Sequence, residues 1–81
     1  MTAVTSRLVQ CFQRVFPELP SAQVLTASTG SVAAWDTVRM NSLVRVIEAE
    51  FGVDVGLDRL GELSSFDDFR AYVEGRLAGM R

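Results

Sequence analysis

Histidine and lysine are both missing from this chain of 81 residues, and cysteine occurs once. Without histidine, neither a Cys/His zinc site nor a Cys/His nucleophile pair can be assembled, so no metal site is expected. The lone Cys11 cannot close an internal disulfide, and it reads as a small buried apolar residue of the first helix. All eight bases are arginine, which reflects genome composition better than mechanism. They stand against ten acids, and no basic cluster interleaves with aromatics as a nucleic-acid surface requires, so no nucleic-acid partner is expected. No apolar run approaches the ~20 residues that cross a bilayer, which argues against membrane insertion. The N-terminus also lacks the basic start and apolar core of a signal peptide, and a cytoplasmic protein is expected.

What the chain does have is enough apolar material for one core. Its length suits a single domain, residues 1–81, and a domain this small removes only about 60% of its unfolded surface from water. Nearly every large apolar side chain must then join the same core. Apolar residues make up 48% of the chain, and Phe12, Phe16, Trp35, Phe51, Phe66, Phe69 and Tyr72 are spread along its whole length.

Helical spacing dominates the pattern, and no strand-like alternation is long enough to build a sheet. Leu8, Cys11, Phe12, Val15 and Phe16 give a first helix between Thr5 and Phe16, which Pro17 and Pro20 stop. From Pro17 to Asp36 no period is sustained. So long a connection is unusual in a small domain, and its isolated Leu19, Val24, Leu25 and Val32 are expected to pin it across one edge of the core. A second long helix follows. Asp36 is its N-cap, Trp35 and Met40 form a hydrophobic staple, and Met40, Leu43, Val44, Ile47 and Phe51 make the inward stripe. Gly52 ends it with a left-handed turn.

"VDVGLDRLGEL" then holds a short third helix of a turn or two, with Leu57, Leu60 and Leu63 along one face. The last helix is capped by Ser65, has Asp67 and Asp68 in its positive first turn, and buries Phe66, Phe69, Tyr72, Val73 and Leu77. The expected fold is all-α: a small four-helix bundle of three main helices and a short third one, with a long loop between helices one and two. An acidic pI of about 4.9 and the lack of a heptad seam point to a monomer.

The layout, together with Trp35, Asp36, Thr37 and Val38 at the start of the second long helix, resembles the acyl carrier protein family. That family includes the carrier domains of polyketide and nonribosomal peptide assembly lines. These four residues stand where many bacterial stand-alone members have Trp-Asp-Ser-Leu. Leu43, Val44, Ile47, Glu48, Glu50, Phe51, Gly52 and Val53 fit the rest of that segment at the same spacing, and "LSSFDDFRAYVEGRL" is similar to the family's final helix. The resemblance spans almost the whole chain, but only Trp35 to Val53 is specific.

It implies a protein without catalytic residues of its own. The motif hydroxyl, here Thr37 beside the helix cap Asp36, would carry 4′-phosphopantetheine, from whose thiol an acyl, aminoacyl or polyketide group hangs. The implied partners are a phosphopantetheinyl transferase and acyl-transferring or acyl-processing enzymes, as in fatty acid biosynthesis. The docking face would comprise Val38, Arg39, Met40, Arg45 and Glu48. A phosphate at the first turn of a helix also meets unpaired backbone donors and the positive end of the dipole.

Three positions depart from the family pattern. Thr37 replaces serine, so the hydroxyl is secondary and its rotamers are restricted; equally, threonine is an ordinary first-turn residue with no attachment to make. Arg39 and Arg45 give a mixed charge to a face that is strongly acidic in fatty-acid carriers, so standard fatty-acid enzymes are not the expected partners. Asn41 stands where many members have an apolar residue, and Ser42, more than one turn into the helix, reads as a surface serine. The readings are therefore a carrier loaded at Thr37, a carrier-like module that docks to proteins without an arm, and, far behind, an enzyme resting on Thr37, Asp36 or Cys11 with no visible base.

Overall fold

The computed structural model describes residues 3–79, and among them four stretches of α-helix form. They are α1 (Ala3–Val15), α2 (Ser21–Val24), α3 (Thr37–Phe51) and α4 (Phe66–Ala78), with a 3₁₀ segment at Leu57–Glu62 between α3 and α4. No strand forms among the described residues. The nearest approach is one antiparallel bridge between Ser28 and Ser65. The fold is all-helical, as the periodicity predicts, with two differences of detail: the long loop contains the single turn α2, and the short third helix is 3₁₀ rather than α.

Each boundary has a local cause. The Phe16 N–H still donates to the Phe12 carbonyl at 2.7 Å, after which Pro17 has no donor to continue α1. The Pro20 carbonyl, held by an extended proline, accepts from Gln23 and Val24 and starts α2. Asp36 Oδ1 accepts the Arg39 N–H at 2.9 Å at the head of α3. At its other end Gly52 takes φ 66°, a left-handed conformation in which a side chain would be strained. Ser65 Oγ accepts the Asp68 N–H at 3.1 Å to open α4.

The core centres on Phe12, which is fully buried. Its ring centroid lies 5.5 Å from Trp35, 5.2 Å from Phe66 and 5.8 Å from Phe69, each in an edge-to-face arrangement that suits the aromatic quadrupole. Leu8, Cys11 and Phe16 of the first helix region, Leu43 and Ile47 of α3, and Val73 of α4 complete it. Val24, Ala27 and Trp35 of the long loop are buried in the same cluster, while Leu19, Leu25, Val32 and Ala34 pack against it. The expected pinning of the loop is thus realised. Two further hydrogen bonds hold its middle to the start of α4: Thr29 N–H to the Ser64 carbonyl and Phe66 N–H to the Ala27 carbonyl.

Leu60 of the 3₁₀ segment is half-buried and Leu63, just after it, is buried; the Leu57 side chain lies outside the described residues. Polar ties close the far end of α3. Arg7 donates from Nε to Glu50 Oε2 and from Nη2 to the Glu50 carbonyl, and its guanidinium lies 4.7 Å from the centre of the Phe51 ring. Tyr72 of α4 donates its hydroxyl to the Asp54 carbonyl at 2.9 Å. The Cα radius of gyration, 11.7 Å, matches the ~12 Å expected of a globular chain of this length. No helix among the described residues is long and apolar enough to cross a membrane.

Candidate functional site

Thr37 is the first residue of α3 and is exposed to solvent. Its position follows from the cap before it. Asp36 is extended, its carboxylate takes the Arg39 N–H and its carbonyl takes the Met40 N–H at 2.8 Å. The first-turn donors beyond reach of intrahelical partners are then those of Thr37 and Val38. A hydroxyl therefore stands beside open N–H groups at the positive end of a 15-residue helix.

Trp35 immediately precedes this tip and is 6% exposed. Besides Phe12 it lies 5.8 Å from Phe16 and 6.2 Å from Phe69, centroid to centroid. Its indole N–H is the one buried side-chain donor without a partner among the described residues, so aromatic packing rather than hydrogen bonding sets the ring. Met40, half-buried against the core, lines the same hollow as Trp35.

That hollow opens directly beside Thr37. It holds about 400 Å³ and is lined by Thr29, Trp35, Asp36, Thr37, Met40, Asn41, Leu60 and Gly61. A second hollow of about 290 Å³ adjoins it, lined by Asn41, Val44, Arg45, Glu48, Val55 and Leu60. The α3 residues of the two follow the spacing 37, 40, 41, 44, 45, 48, which is one face of a helix from its tip to its last turn.

The residues expected on the docking face divide into two kinds. Val38 is 73% exposed, the one exposed large apolar side chain among the described residues, and Arg45 is exposed along with Asn41 and Ser42. Arg39 turns toward α1 instead. Its Nη1 donates to the Val15 carbonyl at the C-terminal end of α1, lies 3.7 Å from Glu18 Oε1, and its guanidinium sits 5.4 Å from the Phe16 ring centre. It caps one helix from the head of another, where a cation favours the negative end of the α1 dipole. Glu48 accepts the Val55 N–H on Oε2 at 2.9 Å and so fastens the chain that leaves α3.

Cys11 is buried away from this face. Burial first, and Glu50 nearby second, push its thiol up to about 11, so little thiolate forms near neutral pH. No group of three or more metal-ligating side chains comes together among the described residues. Thr29, Leu60 and Gly61 complete the site and escape sequence reading, because only the tertiary fold sets the 3₁₀ segment against α3. The Thr37-Met40-Asn41 spacing was the available signal for the helix side.

The geometry defines a small helical scaffold that displays a hydroxyl at a helix tip, above an open furrow. No protein-family model, curated protein or solved structure matches the chain. The functional reading consequently rests on the residues themselves.

Proposed function

We propose that this chain is a carrier protein of the phosphopantetheine type, with Thr37 as the attachment residue. In this reading α1, α3, the 3₁₀ segment and α4 are the four members of the carrier bundle. The observation that carries the proposal is the exposed hydroxyl of Thr37 at the first position of a capped helix, next to a hollow with room for a substituent.

The loading step needs two outside components, coenzyme A and a phosphopantetheinyl transferase. The Thr37 oxygen attacks the pantetheine-side phosphorus of coenzyme A. A new P–O bond forms, the pyrophosphate P–O bond breaks, 3′,5′-ADP leaves with the bonding pair, and the threonine proton passes to a base of the transferase. This chain orients the hydroxyl through Asp36 and offers the Thr37 and Val38 N–H groups to the new phosphodiester. Once attached, the arm supplies a thiol to carry an acyl, aminoacyl or polyketide group as a thioester. The scaffold contributes position and recognition, and partner enzymes do the chemistry.

Intact-mass measurement after incubation with coenzyme A and a broad-specificity transferase tests this. The expected result is a gain of one phosphopantetheinyl group by the native chain and by Thr37→Ser. A gain by Thr37→Ser alone would identify the extra methyl as a barrier for that transferase. If neither gains mass, the carrier reading fails and the second one stands. That second reading, a docking module without an arm, is favoured by Val38, whose apolar side chain is exposed at the tip of α3 with nothing on it.

A further inference from the structure

The side chain of Arg39 bridges the head of α3 and the tail of α1. The Leu19 N–H, which would serve the Val15 carbonyl if α1 continued, bonds the Phe16 carbonyl at 3.0 Å instead, because Pro17 has ended the helix. Arg39 Nη1 takes the Val15 carbonyl in its place. The same turn brings Glu18 Oε1 to 3.7 Å from that nitrogen, and the guanidinium lies 5.4 Å from the centre of the Phe16 ring. Carbonyl, carboxylate and ring together fix a long side chain that would otherwise range through solvent.

These contacts close a ring around Thr37. The Arg39 guanidinium lies over Phe16, the Phe16 ring lies 5.8 Å from Trp35, Trp35 leads by one peptide bond to Asp36, and Asp36 Oδ1 accepts the Arg39 N–H at 2.9 Å. Thr37 and Val38 are the two residues between the ends of that ring. The first turn of a helix is ordinarily the part that frays, since its N–H groups have no partner within the helix. Here Asp36 ties the turn to itself, while Arg39 and Trp35 tie it to α1 and to the aromatic core.

The chemistry at Thr37 makes that rigidity matter. In-line attack on phosphorus needs the oxygen about 3–3.5 Å from the reacting atom, and an error of about 1 Å costs on the order of a hundredfold in rate. A serine hydroxyl recovers part of such an error by turning about its Cα–Cβ bond. Threonine, with χ1 restricted by its methyl, recovers less, so its oxygen goes where the backbone sends it.

We infer that Arg39 is a positioning residue for the loading of this chain: by clasping the C-terminal end of α1 it holds the first turn of α3, and with it the Thr37 hydroxyl, in one orientation for attack. The inference rests on attachment at Thr37. It gives the Arg39 charge an internal use and takes it out of the docking face.

The test combines steady-state loading by the broad-specificity transferase with amide hydrogen exchange of the unloaded chain. Arg39→Ala should lower kcat about tenfold in the native background with little change in KM for the carrier, and only about threefold in the Thr37→Ser background. Arg39→Lys, which keeps the charge and a donor but lacks the planar fork, should fall between Arg39→Ala and the native chain. Exchange of the Met40 N–H, which bonds the Asp36 carbonyl, should quicken in step with the loss of kcat, while that of Ile47 in mid-helix stays as in the native chain. Circular dichroism confirms that each variant is folded. Glu18→Gln loosens the clasp from the α1 side without touching α3 and should give the smallest effect in the same direction. A native kcat in Arg39→Ala overturns the inference, and so does a loss of equal size in the two backgrounds. A loss confined to KM, with unchanged Met40 exchange, also overturns it and marks Arg39 as a contact of the transferase. Each of these results leaves the carrier reading intact, since the native chain still loads. If only the Thr37→Ser chains load, equal rates with and without Arg39 among them overturn the inference. If no chain loads, the carrier reading falls and the positioning role falls with it.

Discussion

The two flanks of α3 make opposite use of the same helix. On one, Leu43 and Ile47 are fully buried in the core that the aromatic cluster of Phe12, Phe16, Trp35, Phe66 and Phe69 anchors. On the other, Thr37, Asn41 and Arg45 are exposed beside two hollows, across from a 3₁₀ segment. The first flank is closed by side chains from α1, α4 and the long loop. The second faces Leu60, Gly61, Val55 and Thr29 across the hollows. A packed flank and an open one thus share one element, and the difference between them is open to measurement.

The largest contrast comes from truncating one residue on each flank. Phe12→Ala removes the ring that touches four other aromatics and should cost about 3–5 kcal/mol, much of the stability of so small a domain. Asn41→Ala should move it by no more than about 0.5 kcal/mol. Urea denaturation followed by Trp35 fluorescence reads both, and a similar cost at the two positions would erase the distinction.

A smaller effect is expected at the boundary between the flanks. Asp36→Ala leaves the Arg39 N–H without its acceptor and should destabilise by about 1 kcal/mol, whereas Asp36→Asn keeps an acceptor oxygen and most of the cap. If loading at Thr37 depends on where the helix starts, Asp36→Ala should also slow the transferase while Asp36→Asn restores it.

The smallest effect lies at the cap of α4. The Ser64 N–H donates to Asp68 Oδ2 at 3.0 Å, and this bond, with those from the Ser64 and Ser65 hydroxyls, holds the carboxyl below its usual 3.8. A depressed folded value means that the unfolded chain binds the proton first. The contribution is therefore complete above the unfolded value and disappears as pH falls through the folded one. As pH falls below about 4 the stability of the native chain should fall more steeply than that of Asp68→Asn; parallel curves would remove Asp68 from the account.

What could be read in the sequence and what could not follows the range of the interactions. The ends of α3 were legible because Asp36, Met40 and Gly52 act within a turn of where they stand, and the same holds for Ser65 at α4. The turn α2 was not, since four residues cannot display a period and its cause is the Pro20 carbonyl plus the burial of Val24. Neither was the Ser28–Ser65 bridge, which joins residues far apart in the chain. At the site, the exposed Thr37 and its cap were foreseen. The inward turn of Arg39 onto Val15 and Phe16 was not, because nothing near Arg39 in sequence says that the end of α1 lies beside it. The furrow escaped for the same reason: its helix side has a regular spacing, but its opposite wall is supplied by Leu60 and Gly61.

The most direct test of the central claim is to locate the phosphodiester after the loading reaction, comparing the native chain with Thr37→Val, which keeps the branched shape and lacks the oxygen. The account predicts a single phosphopantetheinyl group on the peptide that contains Thr37 and an unchanged mass for Thr37→Val. An arm found on Ser42 or any other residue, or a Thr37→Val chain that loads as well as the native one, would contradict it.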